Sequence, residues 1–313
     1  MRKEFEVVID EDNAGKRIDV VLSEVTGVTR SNLKNHMEVL TVNGKPGKLS
    51  YKGRIGDRIA IALKWEEQTF IPEDIPLDVV YEDDNYLVIN KPKGMVVHPA
   101  KGNYTGTLVH ALWGRYHYET EDGKDASELS LEDLRLKAGI VHRLDKDTSG
   151  LMIIAKRMES LQYLSSLFKD HQIKKIYSAV LKGKVFPFHQ HVINNIGRHP
   201  RQRTKMAVVE KGGKHSHSIF HVVRHVGNYT YVKVRIKTGR THQIRVHASN
   251  LGYPILGDPI YSRHDSGYPN IGLCLAATKL SFYDKFSDRE LTFKIKPPKE
   301  LLIHTTRESK GKK

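Results

Sequence analysis

The sequence predicts an α+β fold, in which a mixed, largely antiparallel sheet forms the larger domain and a small α+β domain precedes it. A chain of 313 residues is too long for one typical core and suits two domains of unequal size. Strand-like and helix-like segments are interspersed without the regular βαβ rhythm of a parallel sheet. A polar, proline-punctuated stretch separates the two parts. We therefore predict a small domain at 1–63, a linker at 64–78, a large domain at 79–306 and a basic tail at 307–313.

The small domain carries two helix patterns and a hairpin signal. Apolar residues at helical spacing predict the first helix within 15–25. Thr29 or Ser31 can cap the second helix. Its apolar stripe is expected at three positions spaced i, i+4 and i+7, namely Leu33, Met37 and Leu40. The opposite face carries Arg30 and Lys34, so this helix can present a basic face to RNA.

The large domain contains both strand-like and helix-like patterns of apolar residues. Apolar, β-branched runs predict strands at 86–90 and 151–155. An apolar stripe predicts a helix at 160–171. The stretch 231–237 alternates apolar and basic residues, which indicates a half-buried strand with a basic outer face.

The positive net charge of the chain favours a negatively charged partner. The formal net charge is +15, which predicts attraction to polyanions, most commonly nucleic acid. A basic but solvated surface and a membrane-surface binder are the alternatives, although no basic amphipathic stripe is evident. From 195 to 247 there are twelve Lys or Arg residues and one acid, Glu210, so this stretch is the candidate RNA face. From 119 to 133 seven acids stand against Lys124, which indicates a solvated insert.

Several classes of site and of location are disfavoured. Cys274 is the single cysteine, so no disulfide within the chain and no cysteine-based zinc site is expected. The histidine pairs His189/His191 and His215/His217 lack further ligands at the usual spacing, and we predict no metal. No phosphate-cradling glycine motif occurs. Without an apolar leader or a run of about 18 apolar residues, we expect a cytoplasmic protein.

The densest polar cluster is 142–150, directly before the predicted strand at 151–155. Polar groups crowded at the entry to a buried strand are typical of a site on a scaffold edge. By chemistry alone Asp145 could be a nucleophile, a general base or an ion-pair partner of Arg143. A purely structural turn is the remaining alternative, held by the side chains of Asp147, Thr148 and Ser149.

The same cluster, His142-Arg143-Leu144-Asp145-Lys146-Asp147-Thr148-Ser149-Gly150, resembles the signature of the RluA/RluD family of RNA pseudouridine synthases. Three further segments are similar to that family's motifs and occur in its order. They read NKPKGMVVHP at 90–99, KKIYSAV at 174–180, and GRTHQIRVH at 239–247 running on to GYPILGD at 252–258. The small domain resembles the alpha-L RNA-binding domain, on Arg17-Ile18-Asp19, Thr29-Arg30-Ser31, Val42-Asn43-Gly44 and Gly56-Asp57.

The resemblance implies a role for each matching residue. Asp145 corresponds to the essential aspartate, which attacks the ribose C1′ or removes a ribose proton. Arg143 is similar to the arginine that fills the gap left by the flipped nucleotide. Tyr177 matches the tyrosine that stacks on the uracil, and Arg245 the basic residue that pairs with the aspartate. Arg240 and His242, in the same motif as Arg245, are expected to contact RNA, as are Arg30 and Lys34.

The chemistry is consistent with those roles. Turning uridine into pseudouridine exchanges a C–N for a C–C bond without a redox step, so no cofactor is expected. The base must leave its stack, and an aromatic partner holds it with ~1–3 kcal/mol per base. A carboxylate in a closed pocket is kept ionised by a neighbouring guanidinium. Tyr177 could instead be a core residue, and Arg245 could instead contact a phosphate.

The chain most resembles the RluD-type large-subunit rRNA enzymes of that family, and this resemblance implies an RNA pseudouridine synthase whose most favoured substrate is large-subunit ribosomal RNA. We expect the protein to be a monomer. A tRNA or another rRNA is the alternative substrate. A non-catalytic RNA-binding or ribosome-assembly factor is an alternative of another class. An RNA N-glycosidase is chemically adjacent, but it would release free uracil.

Overall fold

The computed structural model describes residues 2–64, 70–100, 102–116, 126, 129–202, 204–262, 268 and 270–303. The chain divides into two units, Met1–Thr69 and Phe70–Lys313. The predicted basic tail, and most of the predicted acidic insert at 119–133, lie outside the described residues.

The first unit is a four-stranded antiparallel sheet with two helices. Its elements are β1 (Arg2–Val8), α1 (Ile18–Thr26), α2 (Arg30–His36), β2 (Met37–Val42), β3 (Lys45–Pro46) and β4 (Arg58–Lys64), with strand order β1-β4-β2-β3. Ile18 and Leu22 of α1 and Leu33 of α2 pack on Ile59 and Ile61 of β4. These apolar side chains form the core of this unit.

The predicted apolar stripe of the second helix, Leu33, Met37 and Leu40, is wrong except for Leu33. Thr29 does cap α2, accepting a hydrogen bond from the Asn32 backbone N–H at 3.4 Å. The helix ends at His36, however, and Met37 begins β2 with an exposed side chain. Leu40 reaches the same core from that strand. Pairing with β4 satisfies the backbone from Met37 onwards, and the Val and Thr residues that follow favour a strand.

The second unit is built on one ten-stranded sheet, ordered β10-β9-β11-β12-β8-β13-β7-β6-β5 with β14 paired to β13. Its strands are β5 (Val79–Glu82), β6 (Tyr86–Lys91), β7 (Ser149–Ala155), β8 (Lys174–Lys182), β9 (His189–Arg198), β10 (Met206–Val208), β11 (Lys214–Val226), β12 (Tyr229–Ile236), β13 (Leu275–Asp284) and β14 (Arg289–Lys294). Its helices are α3 (Leu108–Tyr116), α4 (Leu131–Lys137), α5 (Met158–Lys169), α6 (Gln243–Asn250) and α7 (Lys299–Ile303). The pairs are antiparallel except β13 with β7. The predicted α+β class with a mixed, largely antiparallel sheet is confirmed.

The second unit begins earlier than the predicted domain boundary at 79. Phe70 is buried, stacks on His110 with ring centroids 4.3 Å apart, and meets the edge of Trp113. The Glu73 backbone N–H donates to the His110 carbonyl at 3.1 Å. The predicted linker is therefore packed against α3 from Phe70 onwards. Burying the Phe70 side chain is favourable because it removes apolar surface from water.

One glycine brings the polar 142–150 loop to the middle of the sheet. Gly150 has φ +115°, and a Cβ there would lie 2.3 Å from the Ala277 carbonyl oxygen. Only glycine permits that close approach, which occurs where β7 pairs in parallel with β13. The loop that enters β7 is thereby held beside β13 and, through β13, near β8.

Candidate active site

The three residues expected to be catalytic meet at one cavity. The cavity has a volume of about 90 Å³ and lies in the second unit. Asp145 enters it from the loop before β7, Tyr177 from β8 and Arg245 from α6. The remaining lining residues are Arg143, Leu144, Thr148, Ile236, Gly239, Arg240, Thr241, His242, Gln243, Ile244 and Leu275.

The loop that carries Asp145 is anchored by backbone hydrogen bonds. The Thr148 N–H donates to the Asp145 carbonyl at 3.1 Å, which closes a turn, and the Gly94 N–H donates to the Lys146 carbonyl at 2.9 Å. The loop is thus attached both to itself and to the segment that follows β6. This fixes the backbone of Asp145 without using its carboxylate.

Lys91, at the end of β6, is a fully buried cation beneath the same loop. Its Nζ donates to the carbonyls of Pro92 and Met95 at 2.8 Å and of Lys146 at 3.2 Å. Burial lowers the Lys91 pKa to about 8, and the carboxylates of Asp145 and Asp147 oppose that shift. Lys91 therefore joins the two loops and adds positive charge behind Asp145.

Arg245 lies between two carboxylates. Its Nε and Nη2 donate to both oxygens of Asp258 at 2.8 Å, and its Nη1 lies 3.5 Å from Asp145 Oδ2. Arg245 is 2% exposed and the Asp258 side chain 0%. The resemblance implied Asp145 as the partner of Arg245, and the structure places the shorter, bidentate contact with Asp258. Burial lowers the Arg245 pKa, but the hydrogen bonds and charge of Asp258, together with the charges of Asp145 and Tyr261, shift it upward overall.

Asp258 is the residue that sequence reasoning missed. Besides Arg245, it accepts the backbone N–H groups of Ile260 at 2.9 Å and Tyr261 at 3.0 Å. The turn so formed places the Tyr261 ring 5.2 Å from the Arg245 guanidinium carbon, a cation–π distance. In the sequence, Asp258 follows Gly257 at the end of the segment at 252–258. That position could have drawn attention to it, but the spacing does not indicate a pair with Arg245.

Tyr177 is 8% exposed and keeps its proton. Burial first, and then the charge of Asp145, raises its pKa. It is therefore a neutral phenol at physiological pH, unsuited to act as a base but suited to stack on a planar ring.

The residues expected to bind RNA fall into two groups. His242, Arg240 and Arg143 line the cavity, whereas Arg30 and Lys34 belong to the first unit. Arg30 donates to the Asp19 carboxylate at 2.8 Å, so it also has a structural partner, while Lys34 is exposed.

His242 lies close to Asp145. It adopts the left-handed conformation at the start of α6 with φ 56°. Its Nδ1 lies 2.9 Å from the Tyr261 hydroxyl and its Nε2 3.9 Å from Asp145 Oδ2. Burial lowers its pKa, with Asp145 opposing. Arg240, by contrast, is half-buried and its Nε donates to the His215 carbonyl at 2.8 Å.

Within the described ranges, no group of three or more His, Cys, Asp or Glu side chains is placed to hold a metal ion. Nor does any helix that the structure describes have the length and apolar character to span a membrane.

The chain is similar to known RNA-modifying proteins. Residues 85–250 match the RNA pseudouridylate synthase family. A ribosomal large subunit pseudouridine synthase D of Neisseria meningitidis serogroup B is 37% identical over 92% of this chain and 77% of its own. One from Zymomonas mobilis is 35% identical over 95% of both chains. The structure of a human RNA pseudouridylate synthase domain-containing protein shares the fold, with a TM-score of 0.56, 24% identity and coverage of 72% of this chain and 85% of its own.

Proposed function

Because the chain belongs to the RNA pseudouridylate synthase family, we propose that it isomerises uridines of large-subunit ribosomal RNA to pseudouridine, with Asp145 as the catalytic carboxylate. The site assignment is supported mainly by one observation. Asp145, Tyr177 and Arg245 come from three separate elements and line one cavity. The choice of RNA is supported by relatives that are named for the large ribosomal subunit.

Asp145 acts on the ribose. The N1–C1′ bond of uridine breaks, the uracil turns within the cavity, and a C5–C1′ bond forms. C5 loses its proton and N1 gains one, so the product is an isomer of uridine. Asp145 begins the sequence either by attack on C1′ or by removal of a ribose proton. Arg245 serves both routes, since a guanidinium 3.5 Å from the carboxylate favours its ionised form.

The neighbours of Asp145 position the reactants. Asp258 holds the Arg245 guanidinium in one plane, because a bidentate pair fixes geometry as well as charge. The neutral ring of Tyr177 stacks on the uracil and keeps it in the cavity after the glycosidic bond breaks. A detached base that cannot escape can rebond through C5.

RNA is held around this site and on the first unit. Arg143 occupies the gap left by the flipped nucleotide, and Arg240 and His242 contact the RNA beside it. Arg30 and Lys34, on the domain at 1–63 that resembles an alpha-L RNA-binding domain, tether the substrate. We further propose that the protein acts as a monomer. We also propose that it acts in the cytoplasm, in keeping with relatives that are named for the large ribosomal subunit.

The test is a product analysis. Purified protein is incubated with uridine-labelled large-subunit rRNA, small-subunit rRNA and tRNA, both as naked transcripts and as ribosomal subunits where these exist. The RNA is then digested and its nucleosides are separated. Pseudouridine in large-subunit rRNA alone is the expected result.

Each other outcome overturns a defined part of the proposal. Pseudouridine only in tRNA or in small-subunit rRNA would keep the reaction and refute the substrate. Free uracil would indicate an N-glycosidase. RNA binding without any product on naked RNA or subunits would leave a non-catalytic RNA-binding factor.

A further inference from the structure

The strands β9, β11 and β12 carry a row of basic and imidazole side chains on one face. Their register places Ile219 opposite His191 on one side and Arg235 on the other, and His221 opposite His189 and Lys233. Directly opposite residues of antiparallel strands project from the same face. We call the outer face the surface formed by His189, His191, His217, His221, Lys233 and Arg235.

The outer face points away from the cavity. Tyr177, which lines the cavity, pairs with Val234, and Val234 pairs with Phe220. Val234 alternates with Lys233 and Arg235 along β12, so the cavity and these two cations lie on opposite sides of the sheet. Phe220 and Val234 are buried in the core, whereas Lys233 and Arg235 are exposed.

The histidines of the outer face form a connected chain. His189 Nε2 lies 3.3 Å from His191 Nε2, and His191 Nδ1 lies 3.2 Å from His217 Nε2. The ring centroids of His189 and His221 are 6.1 Å apart. Imidazoles so placed offer ring faces and hydrogen-bonding nitrogens side by side. His217 meets the Nδ1 side of His191 and His189 the Nε2 side, so the three do not converge on one point as metal ligands would.

The charge of these strands has one sign. β9, β11 and β12 contain no Asp or Glu. Cations without intervening acids attract a phosphate backbone, and histidine rings are among the side chains on which unpaired RNA bases stack. An open sheet face that combines the two features fits a single-stranded nucleic acid.

Resting on the proposed function, we propose that the outer face is a second RNA-binding surface, which holds a single-stranded segment of the substrate RNA on the side of the sheet opposite the cavity. Lys233 and Arg235 contact phosphates, and the histidine chain contacts bases. The RNA flanking the target uridine therefore passes around the edge of the sheet, and the enzyme gains affinity at a distance from the reacting base.

The test measures RNA affinity as a function of salt. Full-length protein is titrated into fluorescein-labelled oligouridine at a series of KCl concentrations, with EDTA present. Replacing Lys233→Gln and Arg235→Gln together is expected to reduce the slope of log Kd against log salt by about 0.7 per lost contact, or about 1.4 in all. Lys169→Gln with Lys294→Gln, two exposed lysines on α5 and β14, is the matched control and is expected to leave the slope unchanged.

A second variant separates stacking from charge. His189→Ala with His191→Ala removes two rings but no fixed charge, and it is expected to weaken binding about fivefold or more with an unchanged slope. Circular dichroism of each variant checks that the sheet is retained.

Four outcomes bear on the proposal. Unchanged slope and Kd in both outer-face variants would overturn it. So would Zn²⁺ binding, measured separately by calorimetry without EDTA, that requires His189 and His191 while RNA binding stays intact, since this would mark a metal site. A slope change equal to that of the control pair would indicate only general charge attraction and would also overturn it. If the product analysis fails but the slope changes as expected, the RNA surface stands and the proposed function alone is refuted.

Discussion

The two units each contain a charge cluster of three residues, with opposite composition. In the first unit one carboxylate, Asp19, is shared by Arg17 and Arg30 at 2.8–3.2 Å. In the second, one guanidinium, Arg245, is shared by two carboxylates at 2.8 Å and 3.5 Å. Both arginines of the first cluster are exposed, whereas Arg245 and Asp258 are buried.

The difference shows what each cluster can do. The hydrogen bond from Arg17 lowers the Asp19 pKa to about 2 although partial burial opposes it. The acid is thus fully paired and holds α1 to α2. In the second unit the guanidinium has a tight partner, Asp258, and a looser one, Asp145, whose side chain is 20% exposed to the cavity. An unequally shared guanidinium can orient a carboxylate and leave one of its sides open, as the proposed role of Asp145 requires.

Breaking the buried cluster should have the largest effect. Arg245→Met leaves Asp258 as an unpaired buried charge, which is expected to cost about 3–5 kcal/mol of unfolding free energy. Urea unfolding measures this loss. The double variant Arg245→Met with Asp258→Asn should recover most of it, because the buried charge is gone while an amide oxygen can still accept the Ile260 and Tyr261 N–H groups. A loss below about 1 kcal/mol for the single variant would mean that the Arg245–Asp258 pair is not buried as described.

Breaking the Asp19 cluster of the first unit should cost less. Asp19→Asn removes the charge that both arginines contact and is expected to cost about 1.5–3 kcal/mol, the range for hydrogen bonds to a charged group. Hydrogen exchange of the amides of α1 and α2 in the full-length protein reports this. Asp12→Asn changes an exposed acid of the same unit and should leave the exchange as it is. If Asp12→Asn speeds the exchange as much as Asp19→Asn does, the contacts of Asp19 with the two arginines do not stabilise the helices.

Acid should destabilise the second unit before the first. Burial lowers the His98 pKa to about 4, with Arg143 and Arg135 adding to the shift. The unfolded chain therefore binds the proton first, and stability is lost as pH falls from about 6.5 towards 4, at about 1.4 kcal/mol per pH unit for one histidine. The Asp19 contribution is lost only below about pH 4. His98→Leu should reduce the pH dependence of the urea midpoint between pH 6 and 4.5 without abolishing it, because burial also lowers the pKa of His142 to about 3 and that of His247 to about 4. An unchanged slope would contradict this account.

The smallest effect is expected at Arg30. Arg30→Gln should cost only about 0.2–1 kcal/mol, because Arg17 keeps Asp19 paired. Lys34→Gln should leave stability unchanged. If the helix face binds RNA, both variants weaken rRNA binding in filter assays by a similar factor. If only Arg30→Gln weakens binding, the effect comes from the lost contact with Asp19 and not from an RNA-binding helix face.

The position of the polar loop at 142–150 could be predicted because the loop and its strand are neighbours in sequence. The loop directly precedes an apolar run that lies in β7, and such a run can be recognised without knowing its partners. Gly150 ends the same segment, where the sheet admits no side chain.

The failures have a physical origin too. Leu33, Met37 and Leu40 satisfy a helical spacing, yet the chain leaves the helix after His36, since a strand also carries Leu40 into the core. The Arg245–Asp258 pair depends on a turn thirteen residues along the chain, and Phe70 looked like a linker residue until α3 was placed beside it. Long-range contacts of this kind leave no periodic signal in one sequence.

The central claim is that the carboxylate of Asp145 carries the reaction. Its most direct test compares Asp145→Asn with Asp147→Asn, an isosteric change two positions along the same loop, in the pseudouridine assay on large-subunit rRNA. We expect Asp145→Asn to bind the RNA and form no pseudouridine, while Asp147→Asn retains turnover. Pseudouridine formation by Asp145→Asn at the wild-type rate would contradict the account.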